Sequence, residues 1–365
     1  MGGYAAVFFV AAAATYGLTF PVRRLAVRFG AIDQPDERRV HEVPTPTLGG
    51  SAMYLAFLIA IGVASLLPQF HDVFHGESGP LGVVLGATVI FGVGLIDDLK
   101  DVSAPAKMAG IVLAGTILYF LGVTLFYFRI PFAGFVVLGP DISPLLTVLW
   151  VAVMANAVNL SDGLDGLAAG IVAIAAGAFF VYSERLDNAG LLSPDNLGPL
   201  VAAIACGVCV GFLPHNFHRA KIFMGDAGAL FLGLLMASST MVVGGRTADQ
   251  FSGETYFFFA PLFIPFVILG VPIVDTLFAI VRRTGRRTGA ATADKDHLHH
   301  RLMRLGHGHR RSVVILWLWT ALLSGLVLFP TFSNRGNAVI PFGILVLGVA
   351  LYTLFHPGLR QRTTA

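Results

Sequence analysis

Eleven apolar runs follow one another along the chain, near 3–20, 48–67, 80–96, 105–126, 142–159, 163–183, 198–213, 227–244, 257–281, 312–330 and 338–355. A hydrocarbon core about 30 Å thick takes about 20 helical residues to cross, and each run is of that order. Backbone groups cannot go unpaired in lipid, so such runs become helices, and the short alternating segments of a membrane barrel are missing from the pattern. Composition agrees: 56% of the 365 residues are hydrophobic and 12% charged, against about 25% charged in soluble domains. The expected fold class is therefore all-α. It is a polytopic integral membrane protein of about eleven transmembrane helices, read as a single transmembrane domain over residues 1–365. The first run is followed, not preceded, by basic residues, which makes it a retained span rather than a cleaved signal. Cys206 and Cys209 lie within an apolar run, where they read as small helix-packing residues rather than a redox pair.

Charge gives the expected orientation. All but four of the 24 lysines and arginines fall in segments on one side of the eleven runs, and the four exceptions are Arg129, Arg185, Arg246 and Arg335. Basic loops stay cytoplasmic. The N-terminus is thus expected outside, and the C-terminus and the basic loops in the cytoplasm. A sequence pI near 9.0 reflects this sorting and not a basic groove, so no nucleic-acid partner is expected.

The polar motifs follow the charge. Asp33–Gly50, Asp97–Lys107, Asn156–Gly166, His215–Gly228 and Asp294–Arg301 all fall on the basic side. Asp97 and Asp98 close an apolar run, where adjacent carboxylates are costly without a cation; a solvated helix end is the plainer alternative, and Lys100 and Lys107 stand nearby. Asp162 and Asp165 sit at a glycine-rich bend between two runs. Either Ser161 or Asp162 caps the next helix, or the pair joins a site to which Asn156 and Asn159 also point. Asp226, between glycines in Met224-Gly225-Asp226-Ala227-Gly228, is open to the same two readings. Asp275 lies inside an apolar run, as a functional group or a helix-pairing one. His297, His299, His300 and Arg301 crowd one loop, a spacing that suits phosphate contact better than tetrahedral zinc ligation, with an exposed basic loop as the bland alternative.

Two like charges about 4 Å apart repel by about 4 kcal/mol at an effective dielectric of about 20. A cluster of Asp97, Asp98, Asp162, Asp165 and Asp226 therefore calls for a cation. Oxygen ligands from several loops favour Mg²⁺, or Mn²⁺, shared with a phosphorylated substrate.

Taken in order, these motifs resemble the polyprenyl-phosphate N-acetylhexosamine-1-phosphate transferases. The likeness rests on Asp33-Gln34-Pro35-Asp36 with Arg39-Val40-His41, Pro44-Thr45-Pro46 before Leu48-Gly49-Gly50, Gly94 to Asp98, the Asn156–Gly170 stretch, Met224 to Gly228, Pro272 to Asp275, and His297 to Arg301. It spans nearly the whole chain, although Thr47 stands where many relatives carry arginine. The resemblance implies a ten- or eleven-helix fold in the bacterial inner (plasma) membrane, with the active site in a cytoplasmic cleft. It implies metal ligation by Asp226 with Asp98, and catalytic roles for Asp97, Asp98, Asp162, Asp165, His297, His299 and His300. Substrate contacts would come from Asp36, His41, Lys107, Asn156, Asn159 and Arg301. The His-x-His-His pattern is similar to that of the branch using UDP-N-acetylglucosamine with polyprenyl phosphate, in place of the muramoyl-pentapeptide branch or one using another UDP-amino sugar. A homodimer is compatible with such an enzyme. From other classes, a lipid-linked sugar transporter would spread polar groups through the membrane midplane, and a binding scaffold would hold metal without turnover.

Overall fold

A computed structural model describes residues 2–34, 43–130, 134–244, 302–303, 307–333, 345 and 348. The helices are α1 (Gly2–Arg28), α2 (Gly49–Ser65), α3 (His71–Gly76), α4 (Gly79–Lys100), α5 (Ala104–Phe120), α6 (Ser143–Ser161), α7 (Leu167–Asn188), α8 (Gly198–Asn216), α9 (Gly225–Gly244) and α10 (Gly308–Ser333). Proline stands in the first turn of α4, α5, α6 and α8, where its missing N–H costs nothing and its fixed φ favours helix entry. Long apolar sequence between these starts leaves the backbone no better partner than itself.

α9 is the centre of the bundle. Its apolar stretch is 94% buried, against 28% for α1, so one helix fills the core and the other faces the surroundings. α9 packs on α4, α6, α8 and α2; α1 leans on α2 and α8, α7 on α8 and α10, and α5 bridges α4 and α6. Leu230, Phe231, Leu234 and Leu235 are inaccessible, as an all-round apolar helix demands.

Six described helices are long and apolar enough to cross a membrane, or seven if α2 and the segment Pro68–Gly76, bent by 91°, make one crossing. Of the expected spans, 257–281 lies outside the described residues, and 338–355 has only residues 345 and 348 within them. The expected run 105–126 becomes a helix of only 17 residues. It stops because Gly122 takes φ 84° and the chain turns into a β-ribbon. Two such ribbons qualify the all-α expectation: β1 (Ile32–Asp33) pairs antiparallel with β2 (Thr45–Pro46), and β3 (Tyr127–Ile130) with β4 (Gly134–Val137).

The ribbons mark opposite ends of the bundle. The β1–β2 end carries the turns after α4, α6 and α8. At the other end Gly3 donates to the Gln69 side chain and Asn196 to the Val242 carbonyl.

Candidate active site

The start of α9 is held from two sides. Backbone amides of Gly49 and Gly50 donate to the carbonyls of Phe223 and Met224 at 2.9 and 2.8 Å, and the Phe223 amide donates to Pro46 at 2.8 Å. The Pro-Thr-Pro and Gly-Gly motifs thus form a backbone splint for the segment that leads into Asp226. From α4, Asp98 completes the hold. Its two carboxylate oxygens accept the amides of Asp226 (2.7 Å) and Ala227 (3.1 Å), taking up donors that no helical turn can satisfy. Gly225, at φ 69°, has no room for a side chain, since a Cβ there would lie 2.4 Å from the Asp98 carboxylate.

Three further side chains converge on Asp226. Lys107, at the start of α5, donates its ammonium to both Asp226 and Asp97. Asn159, in the last turn of α6, donates to Asp226 Oδ1 at 2.8 Å. Asp97 also accepts the Val102 amide at 2.7 Å, which fixes it over the turn after α4. A cation thus already sits between two carboxylates brought from different helices, and the donor set around it is oxygen only.

The α6–α7 turn supplies the other wall. α6 stops at Ser161, and Gly166, at φ 76°, opens α7 with no side-chain cap. Neither Ser161 nor Asp162 therefore spends itself on capping that helix. Asp162 keeps some surface on the cavity, yet protein surrounds it densely. Desolvation, reinforced by the charges of Asp226, Asp98 and Asp165, pushes its carboxyl up to about 8. Asp165 is tied elsewhere. Its Oδ2 accepts the Ala220 amide at 3.0 Å and faces His218 Nδ1 at 3.3 Å, and its own amide donates to His309 Nε2 at 3.1 Å.

A cavity of about 700 Å³ opens between these walls, lined among others by Asp33, Thr47, Asp97, Asp98, Asp162, Asp165, Asn216, Phe223, Asp226 and His309. Asp97, Asp98, Asp162, Asp165, Asp226, Asn159 and Lys107 are thus assembled at one end of the bundle. Asn156 is not among them. Its amide folds back to the Ala152 carbonyl of its own helix at 2.8 Å, one turn below the bend, and it does not line the cavity. Asp36, His41, Asp275, His297, His299, His300 and Arg301 lie outside the described residues.

The sequence reading missed His218, His309 and Asn216. Asn216 accepts the Gly166 amide (3.0 Å) and donates to the Ile222 carbonyl (3.1 Å), joining the α6–α7 and α8–α9 turns. The His307-Gly308-His309 triplet beside Arg310 and Arg311 was the available signal for His309, but nothing local links it to Asp165, 144 residues earlier.

Residues 80–244 match the profile of Glycosyl transferase family 4. The chain is 40% identical over 356 residues to the decaprenyl-phosphate N-acetylglucosaminephosphotransferase of Mycobacterium tuberculosis H37Rv, covering 95% of this chain and 87% of that protein. It is 39% identical over 365 residues to the protein of the same name from Mycolicibacterium smegmatis, covering 98% and 89%. A Bacillus subtilis protein named "Probable undecaprenyl-phosphate N-acetylglucosaminyl 1-phosphate transferase" is 35% identical over 298 residues, covering 81% and 76%.

Proposed function

The chain belongs to the glycosyl transferase family 4 enzymes that are polyprenyl-phosphate N-acetylglucosamine-1-phosphate transferases, and from that premise we propose how it works. It transfers N-acetylglucosamine 1-phosphate from UDP-N-acetylglucosamine to a membrane polyprenyl phosphate and releases UMP. The observation that carries this reading is the set of carboxylates gathered around one ammonium beside the cavity. Such a set accepts a cation, and the reaction has a diphosphate to neutralise.

The acceptor phosphate oxygen attacks the β-phosphorus in line. A phosphate monoester with a second pKa of about 6 is largely dianionic at neutral pH, so Asp97 has little proton to remove and acts through its charge. Positioning and charge neutralisation carry the rate in transfers of this kind. When bound, Mg²⁺ or Mn²⁺ would supply the divalent charge that draws density from the diphosphate oxygens. Asp226 is the first ligand of this proposal. Asp97 is better placed than Asp98 to be the second, because both Asp98 oxygens already accept amides of α9 while Asp97 and Asp226 share the cation site.

Asp98 sets where α9 begins and therefore where Asp226 stands, and Asn159 fixes the rotation of the Asp226 carboxylate. Lys107 balances the resting charge and is the chain's own donor to substrate phosphate. The loop with His297, His299, His300 and Arg301 supplies the remaining contacts to donor phosphates or sugar.

In the membrane the proposed arrangement is eleven spans with the N-terminus outside and the cavity at the cytoplasmic end of a bacterial inner-membrane protein. Support comes from the sorting of charge along the bundle: Arg28, Lys100, Lys107, Arg219, Lys221 and Arg310 belong to the cavity end, and Arg129 and Arg185 to the other.

The test is UMP release by detergent-purified protein given UDP-N-acetylglucosamine, polyprenyl phosphate and Mg²⁺. Release that requires all three is the expected result. No UMP with this or any other UDP-amino sugar would remove the transferase reading.

A further inference from the structure

Beside the oxygen-only cation site stands a second group of different chemistry. Asp165 comes from the α6–α7 turn, His218 from the loop between α8 and α9, and His309 from the first turn of α10. One ligand atom from each lies within 4.8 Å of the others. Asp165 Oδ2 is 3.3 Å from His218 Nδ1 and 3.8 Å from His309 Nε2, and the two imidazoles are 4.6 Å apart, centre to centre.

Ligands at about 2.0 to 2.1 Å from a tetrahedral zinc are about 3.3 Å apart. One edge of the triangle already has that length, the second is about 0.5 Å longer and the third is within 4.8 Å, between side chains that are 11 to 27% exposed. His309 Nε2 accepts the Asp165 amide, so that nitrogen is unprotonated and its ring proton is on Nδ1; a metal would take over the lone pair that this amide now holds. Asp165 and His309 both line the cavity, which provides an entry path and space for water as a fourth ligand.

A resting hydrogen-bond cluster is the competing account; metal binding would replace its two long approaches, His218 to Asp165 at 3.3 Å and His309 to Asp165 at 3.8 Å, with ligand bonds. Nitrogen ligands also select against Mg²⁺, which takes oxygen and water.

We propose that Asp165, His218 and His309 form a binding site for a nitrogen-preferring divalent transition metal of the zinc class, separate from the Asp97–Asp226 cation site. The site exists in the resting protein and does not depend on the transferase reading.

The experiment is titration of the chelator-stripped, full-length protein in detergent with Co²⁺ alone. One Co²⁺ per chain with the intense visible absorption of four-coordinate cobalt is expected, bleached by equimolar Zn²⁺ and untouched by excess Mg²⁺, which competes only for the oxygen site. His218→Ala and His309→Ala should each weaken binding by about tenfold or more. His309→Cys should retain cobalt and add a sulfur-to-metal charge-transfer band, a gain of signal that a misfolded chain would not give. The site is overturned by no visible cobalt band, by displacement with Mg²⁺, or by a His309→Cys protein without charge transfer. It is equally overturned if the band survives both alanine variants and vanishes when His297, His299 and His300 are replaced together.

Discussion

Lys107 sits between Asp97 and Asp226 with about a fifth of its side chain exposed, and the charge balance of the resting site depends on it. Removing the ammonium leaves two carboxylates facing each other, and charged hydrogen bonds of this kind are worth about 1.5 to 3 kcal/mol each. Lys107→Ala is expected to melt at lower temperature than the parent without metal, and to regain more of its stability than the parent does when Mg²⁺ is added. Differential scanning fluorimetry with and without Mg²⁺ reads both effects; equal metal shifts in the two proteins would refute a shared cation site. Asp162 makes a second prediction. Its carboxyl is raised to about 8, so the folded chain holds a proton that the unfolded chain has lost through the window from about 4 to about 8. Its contribution to stability therefore falls as pH rises through that window. Asp162→Asn should be more stable than the parent at pH 8 and gain little at pH 4, measured on metal-free protein. At this scale the sequence was a good guide to the five aspartates, because carboxylates at the ends of apolar runs are too costly to be incidental. It was a poor guide to the imidazoles, whose partners are set by tertiary packing, and to Asn156, one turn too far from the bend to reach Asp226.

Helix α4 shows how closely two elements must approach for the site to exist. A Cβ on Gly94 would lie 2.5 Å from the Cα of Ala227, whereas one on Gly92, half a turn away, would meet nothing within 4 Å. Gly94→Leu is expected to part α4 from α9, draw Asp98 off the amides of Asp226 and Ala227, and cost about 1 to 3 kcal/mol. Gly92→Leu should change neither melting temperature nor activity by a measurable amount. Equal behaviour of the two variants would show that the α4–α9 distance does not matter. The helices themselves were legible from apolar length, with proline marking several starts. Their ends were less so: α1 runs eight residues past the apolar stretch to Arg28, and α5 stops at Phe120 where an apolar run continues. Hydropathy records what lipid or core will accept, and turn geometry decides where the helix stops. The β1–β2 ribbon was illegible because two residues per strand carry no alternation.

At the scale of the whole molecule, α9 is an axle within a ring of α2, α4, α6, α7 and α8, with α1 outside it on α2 and α8, and the cavity opens at one end of it. The proposed orientation puts that end in the cytoplasm. Single cysteines in a Cys206→Ala/Cys209→Ala background test it. A cysteine at Glu77 or Asp141 should react with a membrane-impermeant maleimide added to intact cells, and one at Asp101 or Lys221 only after the cells are opened. The reverse pattern would invert the topology. The two native cysteines are half-buried and buried in α8, so their removal leaves the site untouched.

The burial of α9 also imposes an order on biosynthesis. Helices α1 through α8 leave the ribosome first, and the helix that fills the bundle's centre arrives only with residues 225–244. Until then the small residues that await it, Gly50 and Gly94 among them, face an unfilled interior, and Asp98 has no amides to hold. A nascent chain halted before residue 225 lacks the helix that fills the bundle. Insertion of one segment closes the core and, in the same step, brings Asp226 to Lys107 and Asn159.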